Sequence, residues 1–246
     1  MYDIAVVTPS IGRPELKNAI NSVRDQILTP EMSVKHYVVF DGIEAKARYR
    51  GALPLSVCEM TIPFNTGAEG FYGHKIMGAM CSLLKENWVC FLDDDNTFEP
   101  DHLSKMVAAA HGKDWVFSFR NMILDGKLYH RDTYESLGPY RTVSDDPNYK
   151  FLIDTNCYMI KRPIALSAWN AWLTGWGADR VLADYLMKHF PKYACTFSHT
   201  VNYTATKKLI CDDFFVELKS KPIFVFHMTP EATNKAMLQW EQYEKS

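Results

Sequence analysis

This chain lacks several things, and each shortage excludes a class of function. Across 246 residues, 27 Lys+Arg stand against 29 Asp+Glu, a formal net charge of -2. Without a basic excess nothing would neutralise a phosphate backbone, so no nucleic-acid partner is expected. No apolar run approaches the ~20 residues that span a bilayer, so no transmembrane segment is expected. The N-terminus, MYDIAVVTPS, has no basic stretch followed by a long apolar core, which argues against a signal peptide. The six cysteines form no CxxC pair and no zinc-ligand spacing. Cys90 lies within an apolar run and Cys157 within NCYMI, so both read as small buried hydrophobes. Free thiols fit a reducing compartment, and a cytoplasmic protein is expected, peripheral to a membrane at most. No internal repeat, low-complexity segment or linker interrupts the chain. One compact domain over residues 1–246 is the simplest reading.

What is present is a sizeable apolar fraction, 47% of the residues, arranged in alternating short runs. Ile4–Thr8 and His36–Phe40 read as strands, and Met60–Pro63 as a third, shorter one. Pro14–Gln26 has helical spacing, with Leu16, Ala19, Ile20 and Val23 on one face and Pro14 near its first turn. Gly73–Glu86 and Pro100–His111 read as helices on either side of a strand at Trp88–Leu92. This order predicts an α/β fold with a mostly parallel sheet flanked by helices. Further on, Trp115–Arg120 and Lys127–Tyr129 form a hairpin pattern around Asp125-Gly126, a favoured turn pair. Asp132–Pro147 is polar, Tyr-rich and loop-like. Asn156–Ile160, Tyr193–Tyr203 and Ile223–Phe226 read as strands. Pro163–Trp172, Ala178–Phe190 and the tail Glu231–Ser246 read as helices.

The most informative segment is WVCFLDDDN, Trp88–Asn96. An apolar strand runs directly into three aspartates, and a sheet interior cannot hold three adjacent unpaired carboxylates. They belong at the strand's C-terminal end, where ligands bind in open α/β sheets. Crowded carboxylates repel, and a hard cation such as Mg²⁺ or Mn²⁺, shared with phosphate oxygens, would relieve that repulsion. Other strands end in comparable places. The first passes through Thr8-Pro9-Ser10-Ile11-Gly12-Arg13-Pro14 into a helix, which offers backbone N–H groups and the Arg13 charge to an anion. The second ends at Asp41, able to accept hydrogen bonds from a base or a ribose. Asn65-Thr66-Gly67 leads through further glycines to His74-Lys75, and Lys75 is placed to face a phosphate. His74 by itself reads as an ordinary surface histidine.

Taken in order, VVTPSIGRPELKNAI, VVFDG, NTGAEGFYGHKIMGA and CFLDDDNTFEPDHL resemble the nucleotide-binding half of GT-A fold glycosyltransferases, with family 2 the nearest match. The likeness covers about residues 3–110 well and parts of 150–230 less well. It implies a metal-dependent transfer of sugar from a nucleotide-diphosphate donor, a UDP- or GDP-sugar, to an acceptor hydroxyl on a glycan, a lipid-linked sugar or a small molecule. It also divides the chain into a nucleotide-binding half, about 1–112, and an acceptor half, about 113–246. Carried over by position, Thr8, Pro9 and Asp41 cradle the nucleoside, Lys75 is the basic position of the helix after the glycine loop, and Asp93 faces the ribose or the metal's water shell; Arg13 and Asp94 are further nucleotide-binding candidates beside them. Asp95 holds Mn²⁺ or Mg²⁺, with His227 as a late metal ligand.

Thr174-Gly175-Trp176-Gly177-Ala178-Asp179 resembles the family segment that normally ends in Glu-Asp, where the Asp is the general base of an inverting transfer. Ala178 replaces the usual Glu, so the match is partial, and helix capping is the plain alternative for Asp179. Trp176 is a candidate platform for a sugar ring, whereas Trp169 and Trp172 fall on one helical face and are expected in the core. Asp154 and Asn156 are candidates for contact with the donor sugar. Two other readings stay open. Asp93-x-Asp95-x-Thr97 also resembles the haloacid-dehalogenase phosphatases, with Asp212-Asp213 as a later acidic pair, although that family carries its motif on the first strand. A non-catalytic sugar-nucleotide-binding module would keep Asp95 and lack a working base.

Overall fold

The computed structural model describes residues 1–132, 152–175 and 177–205. Its elements follow the apolar periodicity. Strand β1 (Tyr2–Ser10) is buried from Ile4 onward. Helix α1 (Leu16–Arg24) buries the four apolar positions expected of it, Leu16, Ala19, Ile20 and Val23. Then come β2 (Met32–Asp41), α2 (Ile43–Arg48), β3 (Val57–Ile62), α3 (His74–Leu83), β4 (Trp88–Phe91), β5 (Thr97–Phe98) and α4 (His102–Ala109). The second half adds β6 (Trp115–Leu124), β7 (Lys127–Arg131), β8 (Tyr158–Lys161), α5 (Arg162–Ser167), α6 (Trp169–Trp172), α7 (Ala178–His189) and β9 (Tyr193–Ala205).

The nine strands form one sheet in the order β3-β2-β1-β4-β8-β6-β9-β5, with β7 paired to β6. Strands β3, β2, β1 and β4 are mutually parallel, so their C-terminal ends share one edge. Strand β8 is antiparallel to both β4 and β6, and β9 is parallel to β6. The start of β8 and the ends of β6 and β9 therefore come to that same edge. A single apolar cluster spans both halves of the chain, joining Val6 and Phe91 to Trp115, Tyr158 and Leu182. Gly78 of α3 lets Trp172 pack close, since a Cβ there would lie 2.7 Å from the Trp172 Cβ. The Trp172 ring sits 5.0 Å from that of Phe91.

Several expectations need correction. Helix α2 is absent from the periodicity because only Ala45 of its six residues is buried. The two-residue β5 is too short to leave a pattern. Strand β3 begins at Val57 rather than Met60, with its residues mostly exposed at the sheet edge. The helix expected over Pro163–Trp172 is two, broken at Ala168. That break leaves Trp169 49% exposed while Trp172 stays buried, so only one of the two is a core residue. Asn156 precedes β8, in a 3-10 turn over Thr155–Cys157. The hairpin turn is as expected, with Asp125 and Gly126 both at positive φ, 49° and 76°. The Asp132–Pro147 loop beyond its first residue, Trp176, Lys207-Lys208, Cys211, Asp212-Asp213, the Ile223–Phe226 strand, His227 and the terminal helix lie outside the described residues.

Candidate functional site

The shared edge opens into a cavity of about 830 Å³, walled by β1, β2, β4, β6 and β9 ends, the glycine loop and the start of α7. One wall is the turn after β1. Asp94 is buried there and accepts from Ser10 Oγ (2.7 Å), the Ile11 N–H (3.1 Å) and Arg13 Nη1 (3.3 Å). The Arg13 guanidinium also pairs with Asp95. Gly12, at φ +80°, makes the turn possible, since a Cβ would meet the Ala45 carbonyl oxygen at 2.0 Å.

Next along the edge, the Asp41 carboxylate accepts from the Thr66 N–H (2.6 Å), Thr66 Oγ1 (2.9 Å) and the Gly67 N–H (2.9 Å). These bonds pin the glycine loop over the end of β2. At the centre, Asn156 is fully buried and clasps Asp93. Its Oδ1 accepts the Asp93 N–H (2.6 Å), and its Nδ2 donates to Asp93 Oδ2 (2.8 Å) and Asp154 Oδ1 (2.6 Å). Asp154 in turn accepts from Arg120 Nη1 at 3.0 Å. Arg120 also pairs with Asp132 and lies 4.6 Å from the Tyr203 ring centroid. Burial works against the Arg120 charge, but Asp132 and Asp154 outweigh it and raise its pKa.

Burial raises several aspartates at the site, Asp132 among them to about 7. Burial, and then the Asp154 carboxylate, pushes Asp93 up to about 7. Burial, again followed by Asp154, raises Asp179 from its ordinary value. Burial also raises Asp95, with Arg13 opposing. Asp179 sits in the first turn of α7, after Gly177 at φ +83°, and accepts the Arg180 N–H at 2.8 Å. The capping residue of that helix is Gly177, so Asp179 is not its N-cap.

Of the residues the sequence pointed to, the cavity gathers Pro9, Arg13, Asp41, Asp93, Asp94, Asp95, Asp154 and Asp179. It does not gather Thr8, which is buried with its Oγ1 2.8 Å from His36 Nε2. Nor does it gather Lys75, whose Nζ lies 3.5 Å from the Phe71 ring centroid. The neighbour His74 lines the wall instead. Burial lowers its pKa, with the Gly175 backbone and Asp154 opposing, and its Nδ1 is buried with no hydrogen-bond partner among the described residues. Asn156 stands behind the wall, reaching the cavity through Asp93 and Asp154. Sequence reasoning missed Arg120, Arg180 and Tyr203. Arg120 left one trace, a cation closing the apolar run WVFSF.

Among the described residues no three His, Cys, Asp or Glu side chains form a complete cation ligand set. Asp93 and Asp95 nevertheless fit a hard cation. Both are oxygen donors on the cavity wall, and the Asp95 charge adds to the rise of Asp93, a repulsion that a divalent ion relieves. The D-x-D-x-T pattern lies after β4, the fourth strand of the chain, where the phosphatase reading requires the first.

No protein-family model and no curated protein matches the sequence. Solved structures do. S. aureus TarS aligns at a TM-score of 0.57 and 11% identity over 99% of this chain and 44% of its own. TarS 1-349 in complex with UDP aligns at 0.57 and 13% identity, over 96% of this chain and 69% of that one. The UDP-GlcNAc complex of TarS 1-349 aligns at 0.56 and 13%, over 96% and 64%. This chain thus spans less than half of the full TarS chain. Identity this low speaks to fold alone, and with the parallel β3-β2-β1-β4 edge and the acidic turn after β4 it gives the conclusion: this chain has the α/β GT-A glycosyltransferase fold.

Proposed function

We propose that the protein is an inverting, metal-dependent glycosyltransferase that moves a sugar from a nucleotide-diphosphate donor to an acceptor hydroxyl. The observation that carries this is one cavity holding a nucleotide-type edge (Pro9, Asp41, Asp93, Asp95) and, at the start of α7, a carboxylate of raised pKa, Asp179. The UDP and UDP-GlcNAc complexes of TarS favour a uridine donor over a guanosine one.

In this reading Asp41 and the loop it pins orient the nucleoside. Asn156 holds Asp93 in place. Asp179 takes the proton of the acceptor hydroxyl as that oxygen bonds to the anomeric carbon, and the bond from that carbon to the diphosphate oxygen breaks on the opposite face. A carboxylate of raised pKa is the stronger base for this step. Asp95 and Asp93, with His227, would hold Mn²⁺ or Mg²⁺, which when bound offsets charge on the departing diphosphate. Ala178 is buried, so the side chain that replaces the usual Glu packs inward and leaves Asp179 on the wall. The acceptor is a glycan, a lipid-linked sugar or a small molecule. A cytoplasmic location fits the five free cysteines among the described residues, and no helix there is long and apolar enough to cross a membrane.

Asp179→Asn tests the assignment. It should keep UDP affinity within about twofold while lowering turnover of a UDP-sugar at least ~100-fold, the scale of a lost general base. A parallel loss of UDP affinity would move Asp179 to the donor site.

A further inference from the structure

Arg13 stands between two neighbouring carboxylates on the acidic turn, and it holds them unequally. Its Nη1 lies 3.3 Å from Asp94 Oδ1 and also pairs with Asp95 Oδ2. Asp94 is a fixed partner. Its side chain is 6% exposed, and it is held as well by Ser10 Oγ and the Ile11 N–H. Asp95 is 32% exposed on the cavity wall, and Arg13 is itself 42% exposed. An ion pair this open to water is weakly held. Both contacts also run through one nitrogen, short of the two-point fork that a guanidinium makes with a phosphate. The turn does not depend on that guanidinium for its backbone shape. The Gly12 N–H donates to Ser10 Oγ (2.9 Å), and Arg48 Nη1 donates to the Ile11 carbonyl (2.7 Å). Other cations around the cavity are engaged elsewhere. Arg120 pairs with Asp132 and Asp154, Arg180 acts on Asp179, and Lys75 lies over the Phe71 ring.

We propose that Arg13 is an exchangeable counter-ion, which neutralises Asp95 while the cavity is free of nucleotide and swings to a phosphate of the donor when a divalent cation takes Asp95. This rests on the metal-dependent glycosyl-transfer reading and adds an order to it. A guanidinium on Asp95 competes with a cation for the same oxygen, so the nucleotide-free protein binds metal poorly. A nucleoside diphosphate offers the fork a two-point partner, draws Arg13 off Asp95 and so admits the metal. Uptake of nucleotide and uptake of metal are thereby linked, and by reciprocity each strengthens the other by the same factor. Part of that link belongs to the Arg13 side chain, beyond any direct contact between metal and diphosphate.

The experiment counts free Mn²⁺ by electron paramagnetic resonance as it is titrated into the whole chain, with and without saturating UDP. A protein-free titration corrects for Mn²⁺ held by UDP itself. Without UDP, Arg13→Gln should bind Mn²⁺ about three- to tenfold more tightly than the wild type, the scale of one competing charge removed from a partly exposed pair. With UDP the two proteins should agree within about twofold, because Arg13 has then already left Asp95. Arg13→Lys, which keeps a charge for Asp95, should stay close to the wild type when UDP is absent. Equal Mn²⁺ affinity of Arg13→Gln and the wild type without UDP would overturn the proposal. An equal gain with and without UDP would also overturn it, by making Arg13 a fixed partner of Asp95. Failure of the wild type to take up Mn²⁺ even with UDP would strike the metal-dependent reading, and the proposal with it.

Discussion

At the scale of single residues, most of the chemistry is set by how deeply charged groups are held. Asn156 illustrates this. Its amide satisfies Asp93 and Asp154 together, so two carboxylates share a buried donor rather than clashing. Titration should expose the cost of such burial. His36 and His102 are lowered by burial from 6.5 to about 4 and about 3. Their folded forms resist protonation, so each contributes stability above 6.5 that is lost as pH falls below it. Asp93 works in the other direction. Burial raises it from 3.8 to about 7, so its contribution is full at low pH and is lost as pH rises through about 7. The two effects overlap between about pH 4 and 6.5. Tm measured across that window, without divalent cations, should fall less steeply with acid in His102→Gln than in the wild type, and more steeply in Asp93→Asn. Identical slopes in all three proteins would contradict these assignments.

At the scale of elements, the site follows from strand direction. Three parallel strands, β1, β2 and β4, deliver Ser10, Asp41 and the aspartates after Phe91 to one edge, and each of those ends was readable as an apolar run meeting polar residues. What was not readable depended on neighbours far along the chain. Arg120 and Tyr203 reach the cavity because β6 and β9 pair in parallel, a partnership that local periodicity does not encode. The start of α3 shows a finer limit. Adjacent residues on a helix point about 100° apart, so a basic residue expected to face a phosphate, Lys75, turns to Phe71 while His74 takes the wall. Packing of α3 also has a testable hinge point at Gly78. An added Cβ would lie 2.7 Å from the Trp172 Cβ and 2.8 Å from its Cγ, in a part of the core where the indole is already 1% exposed. Gly78→Ala should therefore destabilise the protein by about 1–3 kcal/mol, as overpacking of a filled core does, measured as a lower urea midpoint at unchanged slope. An unchanged midpoint would mean that α3 and α6 slide freely.

At the scale of the whole molecule, one sheet and one apolar cluster join the two halves, and the cavity lies across both. The fold was legible because four motifs stood in order at strand ends, each with a physical reason to be there. The second half was less so, since its strands β8 and β9 pair with strands that lie far earlier in the chain, Trp88 with Lys161 and Thr97 with Asn202. Nucleotide recognition is the claim on which the donor, the cation and the roles of Asp93, Asp95 and Asp179 all depend. Calorimetric titration of UDP into the protein with Mn²⁺, and again with EDTA, tests it most directly. Saturable UDP binding that weakens at least tenfold in EDTA is the predicted result. Absence of binding under both conditions, with GDP equally silent, would contradict the assignment of this cavity to a nucleotide-sugar donor.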